Sequence, residues 1–408
     1  QIFLAIYSEK NELQVLFIPL PSSSIARFQA FRKGEKTFVL FLEDIIKHEL
    51  IRYRPDLEGS QFFTFKVNRN AEMNLDDDPN PKLAKRILKQ IKQRESSSPS
   101  RLLFETGMPA SLQNEIRKLF QLEAANMVEG GNYHQLHDLF GFPLVQGDSS
   151  MWQVAEPFLG SGDYLLEEIL SRDILLHPPY HSFSPILRLF NEAAIHPGVS
   201  EIYLTIYRVA KDSKILQALI TAAMNGKKVT VFVELKARFD EENNLEWAEK
   251  MQSAGIRIRY SIPKLKVHAK AALIKFKREG KTRKLAILGT GNFNESTGKI
   301  YTDHFLFTSQ KLICQELEQV FKILIKSPQK PKKNQAGFDL LWVGKFNLKE
   351  RILEMIEMET QEAKAGRAAH IFLKMNNLEE EEVIKALYRA SQNGVTIRLL
   401  IRGICRLI

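Results

Sequence analysis

The chain predicts an α/β protein with a mixed α+β region on its N-terminal side. Three observations carry this. From Pro157 onward, apolar runs of strand length alternate with helix-length stretches, the rhythm of βαβ units. The runs at 202–207, 229–235 and 256–260 are nearly continuous, as in strands covered on both faces. The pattern then begins again beyond a basic, proline-bearing linker, so the chain reads as two α/β halves, the second incomplete. At 408 residues it is long enough for two or three domains with ample core.

Residues 1–154 form the mixed region. Residues 2–6 and 14–18 alternate as hairpin strands do, and 61–67 is a further strand. Asp76, Asp77 and Asp78 precede Pro79, Pro81 and a basic helix over 82–94. Such a run either binds a cation or favours the positive end of the helix behind it. A Ser/Pro loop follows at 95–100, then an amphipathic helix over 110–122. Residues 155–335 form the first α/β domain: strand 202–207, helix 215–224 closed by Asn225-Gly226, strand 229–235, helix 243–254 ended by Gly255, strand 256–260 and a closing helix 311–326. After the linker at 328–337, residues 336–408 start the second. There 371–378 resembles 202–209 and 386–394 echoes 218–226. Val395-Thr-Ile matches Val229-Thr-Val, with two residues fewer in the turn.

Composition is that of an ordinary soluble globular protein, 44% apolar and 26% charged. A net charge of +10 suits a polyanion (a phosphate chain, nucleic acid or an acidic membrane surface) or simply solubility. Cys314 and Cys405 are too few for a disulfide framework or a zinc site and suit a reducing cytosol. There is no apolar run of about 18 residues and no signal peptide. The chain starts inside one predicted strand and stops directly after another, so both ends look cut.

Chemistry concentrates in 264–292: KLKVHAKAALIKF, a basic turn, then LAILGTGNFN. His268 and Lys270 lie two apart, so in an extended strand they share one face. The turn brings the chain back to a Gly-Thr-Gly-Asn corner at 289–292. Histidine can attack phosphorus, while lysine and backbone N–H groups stabilise phosphoryl oxygens. A histidine capping a strand beside a solvated lysine would need no chemistry; the glycine corner beyond the hairpin favours the catalytic use. Arg208 and Arg238 lie at or just past the C-terminal ends of predicted strands, where ligands bind in open α/β sheets. Their planar forks fit phosphate oxygens, although each can also serve a surface ion pair, Arg238 having Asp240, Glu241 and Glu242 beside it. No G-x-x-x-x-G-K-[ST] loop occurs, and the corner lacks the third glycine of a dinucleotide fingerprint.

His-x-Lys followed by Gly-(Ser/Thr)-x-Asn resembles the half-site of the phospholipase D superfamily, whose architecture pairs two such halves around one cleft. The segments DILLHPPYHSF, TIYRVAKDS, NGKKVTVFVELKARFDEENN, LKVHAK, LGTGNFN and IYTD narrow it. With them, nearly the whole chain resembles the polyphosphate kinase family, the ATP-dependent type with a phosphohistidine intermediate. That resemblance implies two phospholipase D-like α/β halves, the second truncated, behind a mixed middle domain. It implies reversible transfer of the ATP γ-phosphate to the end of an inorganic polyphosphate chain, with Mg2+ bound to ATP.

His268 is then the phosphorylated histidine, with Lys270 beside it. Arg208 and Arg238 hold phosphate or its magnesium complex, acting through Mg-bound phosphate because a guanidinium cannot ligate a cation. Tyr301 resembles a nucleotide contact, Arg402 a contact to the terminal phosphate, and Asn292 belongs to the same phosphate-binding set. Asp303 is expected to orient the His268 imidazole. ATP or ADP and polyphosphate are the expected partners. The family implies a homo-oligomer, cytoplasmic or peripheral to a membrane, and no nucleic acid is expected. The sequence departs from the family at Ile287, where members often carry histidine, at Lys264 in place of a glycine, and at His181 and Ser184 where acidic residues are frequent.

The rival reading is a phospholipase D-like phosphodiesterase or nuclease using His268 with water as acceptor. The LKARFDEENN and IYTD segments favour the kinase. A polyanion-binding module without catalysis is the non-enzymatic alternative. In the first half His268 follows the strand at 229–235 by about 30 residues, and in the second half the matching interval runs past Ile408. Residues 1–408 alone are therefore expected to bind nucleotide weakly and to transfer phosphate slowly or not at all.

Overall fold

The structure, a computed structural model, describes residues 2–8, 14–21, 24–69, 98–143, 154–155, 164–234, 241–260, 266–325 and 337–408. Asp76 to Asp78, the helix expected over 82–94, Arg238, Lys264 and most of the linker lie outside the described residues. The chain divides into two compact units, 1–153 and 154–408.

In the first unit, the alternating apolar residues of β1 (Ile2–Ser8) and β2 (Gln14–Pro19) form the expected antiparallel hairpin. β3 (Phe28–Lys33) and β4 (Lys36–Phe41) make a separate two-stranded sheet, followed by α1 (Leu42–Tyr53). β5 (Gln61–Arg69), β6 (Pro99–Glu105) and β7 (Met127–Gly130) complete a five-stranded sheet in the order β2-β1-β5-β6-β7. Between β6 and β7, α2 (Ala110–Leu119) packs Leu112 and Ile116 against Phe65, Leu102 and Phe104. It ends three residues earlier than its apolar pattern predicts. Gln121 adopts φ 52°, and the Leu122 and Gln121 amides turn back to the Arg117 and Lys118 carbonyls, so a left-handed cap closes the helix.

The second unit opens with α3 (Leu165–Ser171), β8 (Ile174–Leu176) and α4 (Ser184–Ile195). Then come β9 (Val199–Ile206), α5 (Lys214–Met224), β10 (Lys228–Val233), α6 (Glu241–Ser253) and β11 (Arg257–Tyr260), the expected βαβαβ run to within three residues at each boundary. The hairpin of β12 (Lys270–Arg278) and β13 (Lys281–Gly289), β14 (Phe305–Thr308) and α7 (Lys311–Ile325) close this half. The seven-stranded sheet has the order β11-β10-β9-β12-β13-β14-β8, parallel among β9, β10 and β11 and antiparallel from β12 onward. One face of it buries Phe232, Ala271, Leu273 and Ala286 beneath Leu317 and Phe321 of α7.

The other half comprises α8 (Leu348–Lys364), β15 (His370–Met375), α9 (Glu381–Gln392) and β16 (Thr396–Ile401), with β15 and β16 parallel. The architecture is thus the predicted α/β one, with a mixed α+β region first. One detail of the repeat is corrected. Ile202 pairs with Val229 in the first half and Ile371 with Ile397 in the second, so Ile397, not Val395, takes the place of Val229. No turn residues are missing. Gly226 at φ 78° and Gly394 at φ 95° close equivalent turns, and the next amides, of Lys227 and Val395, bond to Ala222 and Ala390. Val395 resembled a strand residue because its apolar side chain is buried at a turn position. Cys314 is buried, Cys405 exposed, and both are free thiols. Among the described residues no helix is long and apolar enough to cross a membrane.

Candidate active site

β9 and β12 are antiparallel neighbours, so the end of one lies beside the start of the other. Past Ile206 the chain delivers Tyr207 and Arg208; before Lys270 it delivers Lys266, Val267 and His268. Two buried side chains fix this junction. The Thr205 hydroxyl donates to the Ala269 carbonyl (2.8 Å) and accepts from the Ala271 amide (3.0 Å). Glu234, fully buried, accepts from the Val267 amide (2.8 Å), while its own amide donates to the Ile206 carbonyl (2.9 Å). His268 therefore sits on backbone held from both sides.

His268 and Lys270 were expected to share one face of a strand. β12 begins at Lys270, however, and the ammonium turns back to donate to the His268 carbonyl (2.7 Å). The lysine both supports the backbone that carries His268 and keeps its charge nearby. Tyr207 lies at the centre of the group. Its ring meets the His268 imidazole edge to face, centroids 4.6 Å apart and planes at 84°. Lys270 Nζ lies 5.1 Å from the ring centre, Lys266 Nζ 5.5 Å and the Arg208 guanidinium carbon 5.8 Å. Such distances allow cation–π attraction.

These neighbours set the charge state. Partial burial, then the charges of Lys270, Lys266 and Arg208, push the His268 imidazole from 6.5 down to about 4, although part of its surface is open to solvent. At neutral pH the ring is uncharged with a lone pair available. Lys270 is 7% exposed, and burial lowers it to about 8 against the opposing pull of Asp303. It remains a cation at neutral pH.

Asp303 was expected to orient His268. Its carboxylate accepts instead from the Thr290 hydroxyl (2.8 Å), and its charge acts on Lys270. The glycines of the corner answer to this packing. A Cβ on Gly291 would collide with the Asp303 carboxylate, and one on Gly289 would lie 2.5 Å from the Phe305 ring. Asn292 stands at the same corner with its side-chain oxygen buried and without a hydrogen-bond partner among the described residues, so any phosphate contact from it comes from Nδ2. Tyr301 is exposed on the bend that follows. Arg402 lies in the other half, exposed, one residue past β16, its amide bonded to the Met375 carbonyl (3.1 Å). Arg208, His268, Lys270 and Asp303 are thus brought to one place; Arg238 is outside the described residues.

Tyr207, Lys266, Thr205 and Glu234 were missed by sequence reasoning. Lys266 had a signal: Lys266-x-His268-x-Lys270 repeats at the period of extended chain. Tyr207 had only its place beside Arg208. Beside Lys266 and His268 opens a cavity of about 590 Å³, walled by Leu317, Phe321, Trp342 and Phe346. Among the described residues no cluster of three or more His, Cys, Asp or Glu side chains could hold a metal ion. The donor set around His268, ammonium, guanidinium and phenol, fits a magnesium ion carried on phosphate oxygens rather than one caged by protein.

Family models match three parts of the chain. Residues 2–142 match the polyphosphate kinase middle domain, 164–330 its C-terminal domain 1 and 341–408 its C-terminal domain 2. The chain is 36% identical over 418 aligned residues to the polyphosphate kinase of Escherichia coli K12, covering 98% of this chain and 59% of that protein. With that of Salmonella typhimurium it shares 37% over 417, at the same coverage. The crystal structure of polyphosphate kinase from Porphyromonas gingivalis superposes with a TM-score of 0.75 at 37% identity, covering 100% of this chain and 60% of that one. The chain thus spans about 59% of the length of the curated relatives it matches. By its domains, its relatives and its fold, it belongs to the polyphosphate kinase family.

Proposed function

We propose that the chain carries the nucleophilic half of an ATP:polyphosphate phosphotransferase. A nitrogen of the neutral His268 imidazole attacks the γ-phosphorus of MgATP. The bond to the β,γ-bridging oxygen breaks and ADP leaves. A terminal phosphate oxygen of polyphosphate then attacks the phosphohistidine, the N–P bond breaks, and the chain is one phosphate longer. Run backwards, the same two steps make ATP from polyphosphate and ADP. Phosphoryl transfer asks mainly for positioning and charge stabilisation. Lys270, Lys266 and Arg208 supply that charge around the equatorial oxygens, with Arg238 joining them through Mg-bound phosphate. Tyr301 and Asn292 contact the nucleotide, and Arg402 contacts the terminal phosphate, on the strength of the family motifs. Assembly as a homo-oligomer and a location in the cytoplasm or at the periphery of a membrane rest on the same resemblance.

The observation that carries the reading is an uncharged imidazole ringed by fixed cations at the strand ends. A water-using diesterase would have no evident use for the LKARFDEENN and IYTD segments. The test is synthesis of polyphosphate from ATP, and of ATP from polyphosphate and ADP, by a protein carrying both catalytic halves, as wild type and as His268→Gln. Loss of both directions in a folded variant is expected; polymer formation at a comparable rate puts the nucleophile elsewhere.

A further inference from the structure

We propose that Tyr207 is the positioning residue of this site, its ring holding the His268 imidazole in place and gathering Lys266, Lys270 and Arg208 around it. The proposal rests on the reading of His268 as nucleophile. It begins from a difficulty in the geometry. Three cations crowd one imidazole, and like charges so close repel one another. The π-cloud of an aromatic ring attracts cations and offsets part of that repulsion. Tyr207 is the aromatic residue that touches all four groups: the imidazole at 4.6 Å edge to face, and the cations at 5.1, 5.5 and 5.8 Å.

Its own backbone is fixed. It leaves the end of β9, and its carbonyl accepts from Nδ2 of Asn244 (3.0 Å), a side chain 1% exposed on α6. The ring is therefore a rigid post rather than one more mobile surface group. Without it His268 loses a wall against water and Lys266 loses the ring it lies against, while Lys270 keeps only its bond to the His268 carbonyl. Tyr207 itself need not touch phosphate. Lys266 and Lys270 on the histidine's own segment and Arg208 beyond β9 face the imidazole. Asp303, beyond the glycine corner, acts on Lys270, and Lys345 of the 337–347 connector lines the same cavity as His268. Glu234 is occupied below, with the Val267 amide.

The experiment compares Tyr207→Phe, which keeps the ring, with Tyr207→Leu and Tyr207→Met, which remove it at similar bulk. All are checked for cooperative melting. Phe is expected to stay within about threefold of wild type, while Leu and Met lower kcat by about 30-fold with KM for ATP within about twofold. NMR titration of the His268 ring, assigned with His268→Gln, should rise by about one unit or more in Leu and Met, because the face now covered by the ring opens to water. Unchanged kcat in both ring-deletion variants overturns the proposal. So does a loss confined to KM with an unmoved titration, or equal loss in Phe, which would assign the role to the hydroxyl. If His268→Gln retains phosphate transfer, the nucleophile reading fails instead, and the titration still decides whether Tyr207 shapes the imidazole.

Discussion

β9 and β10 in the first half, and β15 and β16 in the second, are both parallel pairs joined by a helix and an Asn-Gly turn. Their core-facing positions correspond: Ile202 with Ile371, Leu204 with the half-buried Leu373, Val209 with Leu378. Past the strand ends the halves part. The first presents Tyr207 and Arg208, the second Asn376 and Asn377. Asn377 is spent locally, its side-chain oxygen accepting from the Ile404 amide (3.2 Å) and lying 2.7 Å from where a Cβ on Gly403 would stand. After β10 comes Glu234, fully buried beneath His268; after β16, at the equivalent place, comes the exposed Arg402. The outer faces differ as well. Tyr203 is covered by Phe321 of α7 at 5.5 Å, while its counterpart Phe372 is 71% exposed. One scaffold thus serves two purposes. Its core positions repeat because they only need to pack, and its strand-end residues diverge because they meet whatever is delivered beside them.

Exchanging the divergent residues tests this directly. The largest effect is expected from Glu234→Arg, which puts the second half's residue under His268. A buried, uncompensated cation should cost about 3–5 kcal/mol in denaturant unfolding. A midpoint close to wild type would mean that Glu234 is not what holds the Val267 amide. Arg208→Lys and Arg238→Lys keep charge but lose the fork, so kcat should fall about tenfold or more with a smaller change in KM. Raised KM at constant kcat would make them simple binding contacts.

The pH profile sharpens the comparison further. The His268 lone pair is free above about 4, and Lys270 is charged below about 8, so the transfer rate should be flat between these limits and fall on either side. Lys270→Arg, whose charge persists, should remove the alkaline fall; an alkaline limb that survives belongs to another group. For stability the signs also follow. The folded imidazole titrates below its unfolded value of 6.5, so what His268 contributes is present above that pH and lost as pH drops toward 4. The smallest effect should come from Arg402→Glu, within about 0.5 kcal/mol in stability because the site is exposed.

The alternation of strand and helix over 202–260 and again over 371–401 was legible, because continuous apolar runs and glycine-closed helices are local signals. His268 was singled out from the sequence too, by the lysine two residues on and the glycine corner nearby. Residues acting from a distance were not. Glu234 reaches Val267 across 33 residues, and nothing in VELKARFD distinguishes its glutamate from the acids that follow it in the chain. Tyr207 reads as one more strand aromatic until β12 lies beside β9. Asp303 was seen as a carboxylate near the site but given the wrong neighbour, because only the folded corner shows Thr290 in front of it. Val395 misled for the opposite reason: an apolar residue in a turn copies the pattern of a strand start.

The central claim, that strand-end cations and a neutral imidazole make His268 the phosphate carrier, is tested most directly by single-turnover labelling. The protein is incubated with γ-labelled MgATP, quenched in alkali and mapped by proteolysis. A base-stable, acid-labile label on the peptide containing His268, absent in His268→Gln, is the predicted result. Label of that chemistry on another histidine, or undiminished labelling of His268→Gln, would contradict it.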